Sequence, residues 1–300
     1  MRNKIRKNNG ASERMRVRFR DAPLGFIFIV SMLLLAFVLT AYPLFYIISL
    51  AVMPYENYVN APIHFYPNGF TMVYFQQIFT DASLPHGFLI SFFRVIAGTA
   101  LSVVCTMLAA YALAVCNLRL KRFFSVFFVI PMFFSPGVIP FYLTINAYGL
   151  SNTFWALILP YLCTPMWFFV AKANLSSYPQ EILEAAKIDG SGQFRVFWKI
   201  VWPTNIPLIA TIGMMYGVFH WNEYFYTRLL VGKELWSAPV HLYALINEQK
   251  LLMSLGAGLK TQPMCYQAAV AACLIIPVLV IYPFLQKFIV AGLTAGSVKG

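Results

Sequence analysis

Charge is scarce in this 300-residue chain. Asp, Glu, Lys and Arg together supply 11% of it, against 60% apolar residues and a mean hydropathy of +0.70. Soluble globular proteins carry roughly 25% charge. This sequence cannot cover a folded surface with polar groups, so most of that surface faces lipid. A soluble enzyme, a disulfide-knotted secreted domain and a disordered chain are excluded together. No G-x-x-x-x-G-K-S/T phosphate loop occurs, so the chain is not expected to hydrolyse ATP itself. No H-E-x-x-H occurs either. The five cysteines (Cys105, Cys116, Cys163, Cys265, Cys273) lack metal spacing and read as small packing residues. The four histidines, His64, His86, His220 and His241, form no ligand pair. No catalytic residue, metal site or cofactor of the chain's own is expected. Gly190-x-Gly192 is a fragment of a dinucleotide fingerprint without its strand. The net charge of +12 sits in particular segments and not along one face, which argues against a nucleic-acid partner.

What the chain does have is long apolar runs. A spanning helix needs about 20 mostly apolar residues. The stretch Leu24 to Ala51 qualifies, as do the runs bounded by Arg94 and Arg119, by Lys199 and Glu223, and by Lys260 and Lys287. Arg122 to Lys172 is too long for one helix and breaks at Tyr148-Gly149-Leu150-Ser151-Asn152, giving two. Pro131, Pro136 and Pro140 are expected to interrupt the third span, and Pro160 and Pro165 fall early in the fourth. The uncharged but polar stretch Asn57 to Thr80 reads as an extramembrane loop. Six helices follow, since backbone groups in lipid must bond within their own segment. Seventeen Lys and Arg fall on one side of these spans and four on the other, with Arg94 aside. The positive-inside rule puts both termini in the cytoplasm. The organisation expected is a basic arm at 1–22, a six-helix membrane domain at 23–290 and a tail at 291–300. The apolar run after the arm is too long for a secretory signal and has no cleavage site.

Charges inside the spans are nearly missing. Arg94 lies near the outer end of its span and is expected to snorkel to the headgroups. A proton- or ion-coupled secondary transporter, the main alternative, needs intramembrane charges and an inverted repeat. An integral membrane enzyme needs converging polar residues at one membrane face. Any uphill transport by this chain must therefore draw its energy from a partner.

One cytoplasmic segment, 173–199, is polar and organised. Ser177 and Gln180 have capping-box spacing, Pro179 suits a first turn, Glu181 and Glu184 suit the positive end, and Gly190 suits the stop. The spacing predicts a helix from Tyr178 to Asp189, with Ile182, Ala185, Ala186 and Asp189 on one face. The alanine pair would let another surface approach the backbone. A short amphipathic helix with no partner fits the same pattern, although an isolated helix of this length is marginal in water.

The string Glu184-Ala185-Ala186-x-x-x-Gly190, followed by Ile200-x-x-Pro203, resembles the EAA loop of permease subunits in bacterial binding-protein-dependent ABC importers. Residues, spacing and position between the fourth and fifth of six spans all agree. Residues 65–71, 137–143, 149–160, Trp221-Asn222-Glu223 and the ending 292–300 are similar to the carbohydrate-uptake class, in particular the subclass importing polysaccharide-derived oligosaccharides. Ser191 stands where Ala is usual and Trp202 where Leu is usual before Pro203. The resemblance implies an all-α, type I importer permease fold. It implies a bacterial inner-membrane protein paired with a homologous second permease, two ATPase subunits that bind ATP and Mg, and an extracytoplasmic sugar-binding protein. It implies that Glu184, Ala185, Ala186, Asp189 and Gly190 form a coupling helix seated in an ATPase. Asn146, Trp221, Asn222 and Glu223 are polar or aromatic groups near span ends, candidates for pathway or partner contact.

Overall fold

The computed structural model describes residues 23–60, 66–80, 83–255 and 263–297. The basic arm 1–22 and the last three residues of the expected tail lie outside the described residues. All described regular structure is helical, with no strand. The first long helix, α1 (Pro23–Val52), matches the first apolar run and tolerates Pro43 in its interior. The loop that follows holds two short helices, α2 (Tyr55–Asn60) and α3 (Val73–Thr80).

The second run is longer than its charge-free window. Helix α4 (Ser83–Ala114) starts eleven residues before Arg94, which is therefore about three turns inside it. The third run breaks as its prolines require. It forms α5 (Lys121–Phe133) and α6 (Val138–Ala147), and Gly137 between them takes φ +79°, a left-handed value that suits glycine. Gly149 at φ +67° and Asn152 at φ +58° then turn the chain where the sequence reading placed the next break. The fourth run is two 3₁₀ turns, Phe154–Leu157 and Leu159–Tyr161, bent by 44° from α7 (Pro165–Ser176).

Helix α8 (Gln180–Ile188) opens the polar segment 173–199. It is followed by α9 (Gln193–Val196), a π-helical stretch Phe197–Val201, α10 (Trp202–Thr204) and α11 (Ile206–Asn222), the fifth apolar run. The loop beyond is itself helical, with α12 (Phe225–Leu230) and α13 (Ala238–Ser254). Helix α14 (Pro263–Ser297) carries Pro277 and Pro283. Its backbone stays helical through Ser297, so residues 291–297 of the expected tail extend the last helix.

Two apolar clusters hold most of the interior. One joins α4, α7, α8, α9 and α11 through Met107, Phe168, Leu183, Val196 and Tyr216. The other joins α1, α3, the start of α4 and α14 through Ala51, Ile78, Leu84 and Ala269. Tyr216 is fully buried, and its hydroxyl shares a 2.7 Å hydrogen bond with Thr106 of α4 and accepts from the Thr164 N–H at 2.9 Å. It thus ties α4, α7 and α11 at one point. Outside these clusters the surface is apolar, with residues such as Leu33, Phe37 and Leu39 of α1 more than half exposed. That surface suits lipid or another apolar subunit.

Candidate functional site

Helix α8 is fixed at both ends by its neighbours in sequence. Pro179 sits at the N-cap without a side-chain cap. The expected capping box does not form, because Ser177 Oγ donates to Asn174 O at 2.8 Å and closes α7 instead. The helix is accordingly shorter than 178–189. Glu181 in the first turn and Lys187 in the last match the helix dipole. At the C-terminus Gly190 takes φ +73°, its N–H donates to Lys187 O at 3.0 Å, and the Ser191 N–H donates to Ala186 O at 2.9 Å. This is a Schellman stop, as the glycine requires.

The helix faces also differ from the sequence reading. Leu183 and Ala186 are buried in the cluster with α7 and α9. Ile182, Glu184, Ala185 and Asp189 point outward, so the alanine pair is split between core and surface. The physical reason is register: Leu183 and Ala186 lie three apart and claim the inner stripe. A shallow depression of about 470 Å³ lies along the open side, bounded by Glu181, Ile182, Ala185, Asp189, Ser191 and Ile200 as well as Ala186. Ile188 and Phe194 nearby are 85% and 69% exposed. The segment is anchored to the membrane helices. Tyr111 of α4 donates to Gln193 Oε1 at 2.8 Å, and the Tyr178 and Thr204 hydroxyls pair at 2.9 Å. Trp202 packs against Trp198 at a 41° tilt, ring centres 4.8 Å apart, so its departure from the usual leucine is absorbed by an aromatic cluster.

A second feature is the buried ion pair. Arg94 does not snorkel: it is fully buried, and its Nη2 lies 3.0 Å from Glu223 Oε2. Arg94 Nη1 also donates to Thr227 Oγ1 at 2.7 Å and to Glu223 O at 3.1 Å. The Glu223 carboxylate further accepts from the N–H groups of Tyr226 at 2.6 Å and Thr227 at 3.2 Å, and from the Thr227 hydroxyl at 2.6 Å. Glu223 therefore starts α12, neutralises Arg94 and pins the break after α11 to α4. Both carboxylate oxygens and both terminal guanidinium nitrogens are bonded, which offsets the cost of burying the pair, while Arg94 Nε has no partner among the described residues. Next to it, His220 of α11 is fully buried with neither ring nitrogen in a well-formed hydrogen bond. Its ring presses on Gly98, where a Cβ would lie 2.6–2.8 Å from three ring atoms. Sequence reasoning missed the pair because its members are 129 residues apart and the charge-free window was taken to begin at Arg94. The length of the apolar stretch before Arg94, Leu84 to Phe93, was the available signal.

The other candidates are dispersed. Asn146 is exposed on α6, and its carbonyl accepts from the Gly149 N–H at 2.9 Å. Trp221 Nε1 donates to Leu274 O of α14 at 3.1 Å. Asn222 Nδ2 donates to Val218 O at 3.0 Å within its own helix. Of these candidates only Trp221 and Asn222 share a cavity, of about 320 Å³ and bordered by α13 and α14. The described residues hold no group of His, Cys, Asp and Glu able to bind a metal.

Comparison with known proteins agrees with this architecture. Residues 98–295 match the family described as "Binding-protein-dependent transport system inner membrane component". The chain is 31% identical over 269 residues to Protein LplC of Bacillus subtilis (strain 168), covering 87% of this chain and 90% of that protein. It is 31% identical over 277 residues to the polygalacturonan/rhamnogalacturonan transport system permease protein YtcP of the same organism, covering 91% and 97%. A solved structure of a bacterial ABC transporter involved in the import of the acidic polysaccharide alginate has a chain of the same fold. Its TM-score is 0.81 at 22% identity, over 90% of this chain and 98% of that one. The chain belongs to the inner-membrane component family of binding-protein-dependent transport systems.

Proposed function

We propose that the chain is one of two permease subunits lining the pathway of an ATP-driven oligosaccharide importer. The 23–290 segment crosses the membrane six times with both termini in the cytoplasm, and α8 seats in an ATPase subunit. Two such subunits bind ATP and Mg, and an extracytoplasmic binding protein delivers the sugar. Closure of the ATPase pair pushes α8 and turns the pathway outward; hydrolysis lets it return, which is alternating access. Glu184, Ala185, Asp189 and Gly190 face the ATPase, while Ala186 seats the helix on the permease core. Sugar as the solute class draws support from the names of the relatives and not from a residue of this chain.

The observation that carries the coupling role is the open side of α8. A nine-residue helix is too short to stand alone in water, yet this one is held rigidly by Leu183 and Ala186 and leaves Ile182, Ala185, Ile188 and Phe194 uncovered. Burying those groups against a partner is favourable at about 25 cal/mol per Å². A secondary carrier would use Arg94 and Glu223 as a proton relay. The carboxylate is instead committed to four donors, as suits a fixed ion pair.

Gly190 provides the test. A Cβ there meets nothing within 4 Å, so the chain itself leaves room for a side chain. Gly190→Leu adds about 1–2 kcal/mol of left-handed backbone strain and a bulky group at the docking edge; Gly190→Asn adds the side chain with less strain. In liposomes containing the complete transporter, Gly190→Leu is expected to insert normally and lose ATP-driven uptake, with Gly190→Asn intermediate. Wild-type uptake by Gly190→Leu, or reaction of a cysteine at 182 with a membrane-impermeant reagent from outside intact cells, overturns the assignment.

A further inference from the structure

A displacement of α8 can reach the membrane helices by two routes, and the structure makes them unequal. The first runs along the chain into α11. It crosses the π-helical stretch Phe197–Val201, a rare geometry, and then Pro203 and Pro207, which have no N–H to donate to the preceding turn. Asn205 leaves the helical region at φ −108° and ψ 22°. Side chains take up the carbonyls at this joint. Asn205 Nδ2 donates to Val201 O at 2.7 Å, and the Thr204 hydroxyl donates to Ile200 O at 2.7 Å. A helix interrupted so often, and held partly by side chains, bends before it pushes.

The second route runs across to α4. At the end of α8 the Ser191 N–H is bonded to Ala186 O, and α9 begins with the Val196 N–H bonded to Gly192 O at 3.1 Å. The two helices thus follow each other with almost no free chain between them. Gln193, the first residue of α9, takes the Tyr111 hydroxyl proton between its Oε1 at 2.8 Å and its backbone O at 3.3 Å. The Cys116 thiol also points at Gln193 Oε1, at 3.7 Å. Among the described residues, every hydrogen bond from 180–204 to helices α4–α7 ends on Gln193. The remaining contacts there are apolar, and apolar packing has no direction and lets surfaces slide. Tyr111 is 4% exposed, with its ring 5.2 Å from that of Phe197. Its helix runs without a break from Ser83 to Ala114. Arg94, bonded to Glu223, lies about 25 Å further along it at 1.5 Å per residue.

We propose that Tyr111 and Gln193 are positioning residues for coupling: they fasten α9 to α4, so that a shift of α8 moves α4 as a lever and is delivered to the end of α11 through Arg94 and Glu223. The inference rests on the coupling role proposed for α8 and names the contact through which that role is carried.

The test uses the complete transporter in liposomes, with ATP inside, the binding protein outside and a labelled pectin digest as solute. Sugar taken up per ATP hydrolysed is the readout, beside the unfolding temperature of the complex. Tyr111→Phe keeps the ring against Phe197 and removes only the hydroxyl. It is expected to lower sugar per ATP about fivefold, the order of one neutral hydrogen bond, with the unfolding temperature near wild type. Gln193 is exposed, so its variants keep the fold. Gln193→Leu should match Tyr111→Phe, and the double variant should lose no more than either single one. Gln193→Glu retains an acceptor oxygen and is expected to stay near wild type. An unchanged ratio in Tyr111→Phe and Gln193→Leu overturns the proposal, as do additive losses in the double variant. A parallel fall of uptake and hydrolysis at constant ratio also overturns it, because the contact then only supports the fold. A wild-type transporter that hydrolyses ATP and takes up none of the digest fails the importer reading itself, before any variant is compared.

Discussion

Arg94 and Glu223 concentrate more bonding than any other pair in the described chain, and removing one partner leaves the other charged and buried. Such a loss typically costs about 3–5 kcal/mol. Arg94→Gln or Glu223→Gln alone is expected to lower the thermal stability of the purified complex strongly. The Arg94→Gln/Glu223→Gln double variant should recover part of it, because two neutral amides need no counter-charge. A double-mutant cycle on the unfolding temperature checks this; additive losses would mean that the two side chains do not act as a pair. At this scale the sequence was least legible. Arg94 read as a surface cation because its chain neighbours are apolar and its partner is remote. Gly98 and His220 carried no signal at all, since their relation is a close approach between two helices and not a motif.

Among the elements, α8 was the most readable and its packing the least. Gly190, Glu181 and Lys187 mark its ends by local chemistry, and local chemistry survives folding. Which stripe turned inward depended on what α7 and α9 offered, and no local pattern states that. Ser177 likewise had two nearby uses and took the one that ends α7. Leu183 now carries a prediction. It is 2% exposed, and truncating a buried leucine costs about 2–5 kcal/mol. Leu183→Ala is expected to loosen α8 from the permease more than it destabilises the membrane helices. Binding-protein-stimulated ATP hydrolysis should fall while the amount of inserted protein stays near wild type. Protease cleavage within 180–190 that is faster than in wild type would report the loosening directly. The breaks at Gly137 and Gly149 were legible for the opposite reason: positive φ values at glycine leave a mark in the sequence itself.

For the whole molecule, apolar runs were legible because lipid dictates length and composition independently of packing; among the described residues three helices are long and apolar enough to cross a bilayer, or four if the pair bent at 162–164 counts as one, against the six expected. The bilayer could not reveal that the last loop is built from α12 and α13, since that segment lies outside the constraint. Nor could it reveal where the runs touch. The described chain leaves much of its apolar surface uncovered, including Phe26, Leu33 and Phe37 on α1 and Ile188 and Phe194 in the polar segment around α8. Gentle purification of a tagged chain is expected to bring a homologous permease and two ATPase subunits in fixed ratio. Recovery of the tagged chain alone, still active in uptake, would contradict the assembly.

The pressing of His220 into Gly98 has a consequence for descent as well as for mechanics. With Glu223 bonded to Arg94 one turn further along, neither α4 nor α11 can accept a new neighbour at that height without a matching change in the other. A chimera that borrows α4 from a relative while keeping the resident α11 would inherit half of a lock. The two helices, though separated by about a hundred residues of chain, are expected to be exchangeable only as a pair.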